Sequence, residues 1–235
     1  MSQEAKILSI IGGVSLVIIV IAVILLGKSN PNPTNASNQA VDPSLLVRAD
    51  SNKIATSSAK VTVVEFGDYQ CPSCGAAFPI LQQMLRDYNG KINFVFRNFP
   101  LSIHQNAQAA AEAAEAAGAQ GKYWPMHDML YDKQNEWGDA ANPLPLFDTY
   151  AQSLGLDINK FNDDVTHNKY SDKIAKDQAD GNSLGVNATP TIYIDNKQAF
   201  VGVPTYTDLQ NYINNELKNN PWLQIFPERL KGVEG

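Results

Sequence analysis

The sequence predicts an α/β domain that follows an apolar N-terminal segment. Two observations indicate this class. The folded part begins with a strand–helix–strand pattern and ends with two strands and a helix, and residues 100–184 between them have a helical pattern. Because a strand–helix–strand unit joins parallel strands through a right-handed crossover, the first unit predicts a parallel pair.

The N-terminal segment has the length and composition of a membrane-spanning helix. Ile7 to Leu26 is a run of 20 residues without a charge. At about 1.5 Å per residue such a helix spans roughly 30 Å, the thickness of a bilayer core. The sequence after Leu26 contains no small-residue cleavage site, which favours an anchor at residues 1–27 over a removed signal peptide, the alternative.

A polar segment separates this predicted anchor from the folded part. Residues 28–43 are rich in Asn, Pro and Ser, a composition that cannot bury a core and that is typical of a flexible tether. We therefore place a linker at 28–58, the folded domain at 59–220 and a C-terminal tail at 221–235.

Composition excludes several classes of function. The chain has 18 basic and 24 acidic residues and a net charge of −6, which argues against nucleic acid as a partner because phosphate binding needs a basic face. Its two cysteines cannot form a disulfide-rich scaffold or complete a four-ligand zinc site by themselves. We expect neither a metal nor a cofactor.

The elements of the folded part follow from their residue patterns. A β-branched, apolar run predicts a strand at Val61–Phe66, and apolar residues at helical spacing predict a helix at Pro72–Tyr88. A second strand is predicted at Ile92–Arg97. A short additional strand is expected earlier, at Leu45–Val47.

The second half of the chain is helical before it returns to strands. Residues 105–120 combine Ala, Gln and Glu, which have high helix propensity, and this stretch ends at Gly121. Further helices follow, and then strands are predicted at Thr191–Asp195 and Gln198–Val201. The last helix is predicted from Tyr206 to Lys218.

Cys71 and Cys74 lie where the first strand leads into a helix. At a helix N-terminus, free N–H groups and the helix dipole favour a thiolate, and Pro72 suits the first turn because it has no N–H. Cys74 follows one turn later, close enough to bond with Cys71 and more buried. This arrangement predicts that Cys71 exchanges disulfides with a substrate and that Cys74 resolves the mixed disulfide.

Two other interpretations of the pair remain. A structural disulfide across two residues closes a very small loop and removes little entropy from the unfolded chain, so it stabilises poorly. Half of a zinc site needs two more ligands, for which the sequence offers carboxylates and three histidines, His104, His127 and His167.

Pro190 opens the strand at Thr191–Asp195. A proline at a strand start cannot donate to the ladder and leaves a neighbouring backbone position open. A cis Thr189–Pro190 bond would form a tight turn there, and an ordinary trans proline is the alternative.

Several segments resemble, in order and spacing over residues 60–215, the DsbA-like thioredoxin family, and in particular its membrane-anchored bacterial members. They read VVEFGDYQCPSCGAAFPIL, RNFPL followed by a histidine, AAEAAEAAGAQGKYWPMHDMLY, LGLD and GVNATPTIYID. The resemblance implies a thioredoxin-like fold with an inserted helical domain. It also implies that Cys71 is the exposed nucleophile, that Cys74 is its buried partner, and that Thr189 and a cis Pro190 face the disulfide.

The resemblance also gives roles to residues beside the cysteines. Glu65 matches a buried acid near the pair, which would have a raised pKa and would pass a proton to or from Cys74; a solvated Glu at a sheet edge is the alternative. Pro72, Ser73 and Thr189 are expected to contact substrate. The strongest oxidases of the family carry Pro-His between the cysteines, so Pro-Ser leaves the oxidising strength open.

The expected function is that of an extracytoplasmic, membrane-anchored thiol–disulfide oxidoreductase, active as a monomer. It would introduce disulfides into secreted or surface proteins through Cys71 and Cys74. A quinone-linked membrane oxidase of the DsbB or VKOR type would reoxidise it. A reductase or isomerase of the same fold is the first alternative, and a tethered binding module with inert cysteines is the second.

Overall fold

The computed structural model describes residues 40–219. The predicted anchor at 1–27 and the predicted tail at 221–235 lie outside these residues, as does most of the segment between 28 and 43. In the part that is described, no helix is both long and apolar enough to cross a membrane.

Within residues 40–219, five strands form one sheet with the order β1-β3-β2-β4-β5. β2 and β3 are parallel, as the strand–helix–strand pattern predicts, and the other neighbouring pairs are antiparallel. The strands are β1 (Asn52–Ile54), β2 (Val61–Gly67), β3 (Ile92–Asn98), β4 (Thr191–Ile194) and β5 (Lys197–Val201).

The central strand β2 is buried on both faces, which explains its almost continuous apolar sequence. Alternate side chains of a strand point to opposite faces, so Val61, Val63 and Glu65 share one face and Val64 and Phe66 the other. The face of Val61 and Val63 belongs to the larger hydrophobic core. The opposite face contributes to a smaller cluster.

Helix α2 (Pro72–Asp87) connects β2 to β3. Its buried side chains, Cys74, Ala77, Leu81 and Met84, recur at intervals of three and four residues and therefore form one face. All four belong to the larger core. Burial of this face fixes the start of α2, and hence the cysteines, against the end of β2.

The block between β3 and β4 is helical, as predicted. Its first helix is nearly all buried because its alanines let neighbouring helices approach closely. Its helices are α3 (Ala107–Gly118), α4 (Tyr123–Asp132), α5 (Gln134–Trp137), α6 (Leu144–Ser153), α7 (Ile158–Thr166) and α8 (Ser171–Ser183). The chain then returns to the sheet and ends its described part with α9 (Tyr206–Asn219).

Two expectations for the segment before β2 are wrong. The strand expected at Leu45–Val47 is instead a short helix, α1 (Pro43–Leu46), and part of the predicted linker forms β1 and pairs with β3. The reason is tertiary: Leu46 is buried, and the Arg97 guanidinium donates hydrogen bonds to the carbonyls of Leu45 and Leu46. Asp42 and Pro43 are a local signal for the start of this helix, but the local sequence gives no signal of the contacts with Arg97.

Candidate active site

Cys71 is the N-cap residue of α2, with extended backbone angles, and Pro72 lies in the first turn. The Cys71 N–H donates to the carbonyl of Asp68, and its own carbonyl accepts from Gly75 N, each over 3.1 Å. Both cysteines are free thiols. Cys71 is 7% exposed and Cys74 is fully buried.

The surroundings of Cys71 favour a thiolate. Its pKa is lowered from 9.0 to about 5, first because Cys74 donates a hydrogen bond to it. Burial acts in the opposite direction, and the N–H groups of Ser73 and Cys74 add to the lowering. Donors that converge at a helix N-terminus therefore outweigh desolvation at this sulfur.

The surroundings of Cys74 shift its pKa in the opposite direction. Burial raises its pKa well above the ordinary value, and the hydrogen bond to Cys71 and the charge of Glu65 raise it further. The Asp68 N–H donates to Cys74 Sγ over 3.5 Å and opposes this rise. In the reduced pair, Cys71 is thus the thiolate and Cys74 the thiol at neutral pH.

Glu65 is buried on the central strand, paired in register with Phe96 of β3 and Ile192 of β4. Burial, and then the charge of Cys71, raise its pKa from 4.5 to about 8. This placement does not fit the alternative of a solvated Glu at a sheet edge. Near neutral pH the carboxyl is protonated and carries a proton close to the cysteines.

The Thr189–Pro190 bond is cis, as predicted, and it immediately precedes β4. Cys71 Sγ lies 3.4 Å from the Thr189 carbonyl oxygen, so the turn faces the nucleophile. The buried Thr189 hydroxyl has no hydrogen-bond partner within the described part of the chain. Its oxygen and the open backbone beside it are groups that an extended peptide can use.

Pro72 and Ser73 are exposed beside the buried cysteines. Pro72 also lines a cavity of about 200 Å³, together with Gln70 and His104 from the approach to α2 and the loop after β3. These residues thus lie on the surface beside Cys71.

Sequence reasoning missed Asp68. This carboxylate is 1% exposed, and it accepts hydrogen bonds from the N–H groups of Gln70 (2.8 Å) and Leu101 (2.9 Å) and lies 2.6 Å from His104 Nδ1. An aspartate that follows a strand and precedes a turn is a known signal for a side chain that binds the N–H two residues later. The contacts from Leu101 and His104 leave no such local signal.

Among residues 40–219, no group of three or more His, Cys, Asp and Glu side chains is arranged to hold a metal ion. His104, His127 and His167 each form a hydrogen bond or ion pair with a nearby aspartate. None of these contacts completes a metal site with Cys71 and Cys74.

Comparison with known proteins identifies the family. The family model described as thioredoxin matches residues 51–215. A solved structure of a thioredoxin-like oxidoreductase from Silicibacter pomeroyi is 28% identical, with a TM-score of 0.64, and the match covers 76% of this chain and 99% of that one. That description agrees with the expected enzyme class.

Two further solved structures share the fold. Oxidised BdbD from Bacillus subtilis is 24% identical with a TM-score of 0.67, over 79% of this chain and 100% of that chain. The thiol–disulfide exchange protein alpha-DsbA2 from Wolbachia pipientis is 24% identical with a TM-score of 0.63, over 73% and 90%.

Curated relatives carry a different name. The Na(+)/H(+) antiporter NhaA 1 of Salinispora arenicola is 40% identical over 141 residues, and NhaA 3 of Salinispora tropica is 39% identical over the same length. Each match covers 60% of this chain but 21% of the relative, so the chain spans about a fifth of the length of these proteins.

The family match covers the sheet, the cysteine pair and the helical block, and the solved structures share the fold. The resemblance inferred from sequence is therefore confirmed at the level of family and fold. The chain belongs to the thioredoxin family, and its fold is that of the DsbA-like thiol–disulfide oxidoreductases.

Proposed function

We propose that the chain is an extracytoplasmic thiol–disulfide oxidoreductase that introduces disulfides into secreted or surface proteins. The observation that carries this proposal is the inequality of the two cysteines. Cys71 sits at a helix N-terminus with a pKa lowered to about 5, whereas Cys74 is buried with a raised pKa. An inert structural disulfide has no need of this asymmetry.

The proposed reaction begins with the oxidised pair. A substrate thiolate attacks Cys71 Sγ, the Cys71–Cys74 bond breaks, and the electron pair leaves on Cys74 Sγ, which then takes up a proton. Glu65, protonated near neutral pH because its pKa is raised to about 8, is the acid placed to supply it.

The second step releases the product. Another substrate thiolate attacks the substrate sulfur of the mixed disulfide, and Cys71 leaves as a thiolate. Its low pKa makes it a good leaving group and stabilises the reduced enzyme, which favours oxidation of the substrate. Two electrons have then moved from the substrate dithiol to the enzyme dithiol.

Substrate contacts are proposed around Cys71. The open backbone and free hydroxyl beside the cis peptide bond suit an extended chain, so Thr189 and Pro190 would align the peptide, while Pro72 and Ser73 would meet it at the rim. None of these four residues would select a particular substrate side chain, which suits an enzyme that acts on many unfolded proteins.

The setting of the enzyme is also proposed. Disulfides persist outside the cytoplasm, and residues 1–27 would anchor the domain there through a single span, with the polar segment after residue 27 as a tether. Because the sequence contains no third cysteine, electrons would leave to another protein. A quinone-linked membrane oxidase of the DsbB or VKOR type is the proposed acceptor, and the domain would act as a monomer.

An equilibrium titration of the full chain against glutathione tests the direction of the reaction. A potential far above the value of about −270 mV typical of thioredoxin supports an oxidase, and a potential near it supports the reductase alternative. Thiols that exchange with no redox buffer would support the binding module.

Two variants test the assignment of roles. Cys71→Ser should abolish disulfide exchange with a reduced model protein. Cys74→Ser should accumulate mixed disulfides, because the resolving thiol is gone. Exchange activity that survives in Cys71→Ser would refute the proposed function.

A further inference from the structure

Asp68 is a buried carboxylate at the end of the central strand, three residues before Cys71. The hydrogen bonds recorded for its carboxylate come from Gln70 N, Leu101 N and the ring of His104. Because both oxygens of this carboxylate accept backbone N–H groups, we assign the hydrogen of the 2.6 Å contact to His104 Nδ1. Hydrogen bonds from its own turn and from the loop before α3 thereby fix the position of the Asp68 side chain.

The backbone of the same residue contacts both cysteines. Its N–H donates to Cys74 Sγ over 3.5 Å, and its carbonyl accepts from Cys71 N over 3.1 Å. A neighbouring hydrogen bond, from Phe99 N to Gly67 O (2.8 Å), ties the same two chain segments together. The Asp68 peptide is therefore the connection between the His104 contact and the resolving sulfur.

The position of this N–H matters in one step of the proposed reaction. When a thiolate bonds to Cys71 Sγ and the Cys71–Cys74 bond breaks, negative charge develops on Cys74 Sγ. A preorganised N–H aimed at a developing charge lowers the barrier, because it needs no reorganisation during the reaction. The amide of Asp68 is such a donor.

We propose that Asp68 and His104 are a positioning pair, which holds the Asp68 N–H on Cys74 Sγ and so stabilises the leaving thiolate when the enzyme disulfide is attacked. This inference rests on the proposed thiol–disulfide exchange. Neither side chain touches the reacting sulfurs, and both act through the Asp68 peptide. A pair with only a structural role would tie the loop after β3 to the start of α2. Its loss would then affect all chemical steps alike.

A pair of variants separates these roles. His104→Asn places an amide N–H close to the position of Nδ1, whereas His104→Gln places it near Nε2, too far along the side chain to reach Asp68. His167→Gln is the matched control, because His167 is an exposed histidine whose side chain is 75% accessible. Far-UV circular dichroism and thermal melting establish that each full-length protein is folded.

The first measurement is the rate at which dithiothreitol reduces the oxidised full chain. Its second thiol closes a ring rapidly, so the second-order rate constant reports the first attack, in which Cys74 leaves. We expect His104→Gln to slow this reaction about tenfold, the effect of losing one well-placed hydrogen bond, and His104→Asn to stay within about threefold of the wild type. His167→Gln should match the wild type.

The second measurement uses a step that places no charge at position 74. In a Cys74→Ser background, dithiothreitol releases Cys71 from its mixed disulfide with glutathione. His104→Gln should leave this rate unchanged within about twofold, since only the Cys74 step uses the Asp68 amide. Equal losses in both reactions, or a glutamine variant that behaves like His167→Gln, would overturn the proposal.

Chemical rescue provides a test if the glutamine variant does not fold. His104 lines the cavity beside Pro72, so free imidazole can reach the space left in His104→Ala. Imidazole should restore the dithiothreitol rate, and a rate that does not respond would count against the positioning role. If the wild-type chain itself is not reduced through Cys71, the proposed function fails; if it is reduced and the variants make no difference, the positioning pair alone fails.

Discussion

Replacement of Glu65 by glutamine should stabilise the folded protein, and increasingly so as pH rises. The carboxyl is buried, and its pKa is raised from 4.5 to about 8 by burial first and by the charge of Cys71 second. Between these values the folded chain retains a proton that the unfolded chain has lost. Stability therefore falls as pH rises through this window, and a side chain that does not ionise removes the loss.

The magnitude follows from the size of the shift. Since one pKa unit corresponds to about 1.4 kcal/mol, the carboxyl costs about 1 kcal/mol of stability at pH 5 and about 3 kcal/mol at pH 7. Glu65→Gln should recover these amounts. The disulfide form lacks the Cys71 charge, so we expect a smaller recovery there than in the reduced form.

Urea unfolding of the reduced wild type and of Glu65→Gln, at several values between pH 5 and pH 8, measures the difference directly. Comparison at each pH cancels the titration of the other groups to first order. The variant should also slow the protonation of Cys74 in thiol exchange. Two stability curves that run parallel across this range would refute the reasoning, because Glu65 would then have the same pKa in both states.

Three further predictions concern other parts of the domain. The reaction of reduced Cys71 with iodoacetamide should have a midpoint near pH 5, the pKa of its thiol, and a midpoint near 9 would contradict the assigned environment. Arg97→Met should lower the free energy of unfolding by about 3–5 kcal/mol in urea, because it removes the guanidinium that pairs with the buried Asp177 and leaves Arg48 as the remaining partner of Asp180; a loss under about 1 kcal/mol would contradict this. Tyr131→Phe should change stability by less than about 1 kcal/mol, because the buried hydroxyl has no hydrogen-bond partner among the described residues, and a large loss would reveal one.

Arg97 shows why a contact can be essential and invisible in the sequence. Its guanidinium is fully buried, donates to Asp177 and Asp180 of α8, and also reaches the carbonyls of Leu45 and Leu46. It thereby joins the helical block to the segment before β1. Each partner is ordinary in its own local sequence, so no pattern around any one of them predicts the network.

The fold was largely predictable because its elements follow local rules. The predicted strand at Val61–Phe66 and helix at Pro72–Tyr88 match β2 (Val61–Gly67) and α2 (Pro72–Asp87) to within one residue. β-branched runs and helical spacing of apolar side chains depend on near neighbours alone. The short elements between residues 43 and 54 were missed because each has only three or four residues and is held by distant contacts: β1 pairs with β3, and Arg97 binds the carbonyls of α1.

By itself, the sequence determined the order of the elements, the place of Cys71 and Cys74 at a strand-to-helix junction, and the proline before β4, because each depends on residues close together in the chain. The tertiary structure alone decided the depth at which Glu65 is buried and the meeting of Asp68 with His104, 36 residues later. The physical reason is that desolvation and hydrogen bonds between distant segments arise only when the sheet and the helical block close around the cysteines.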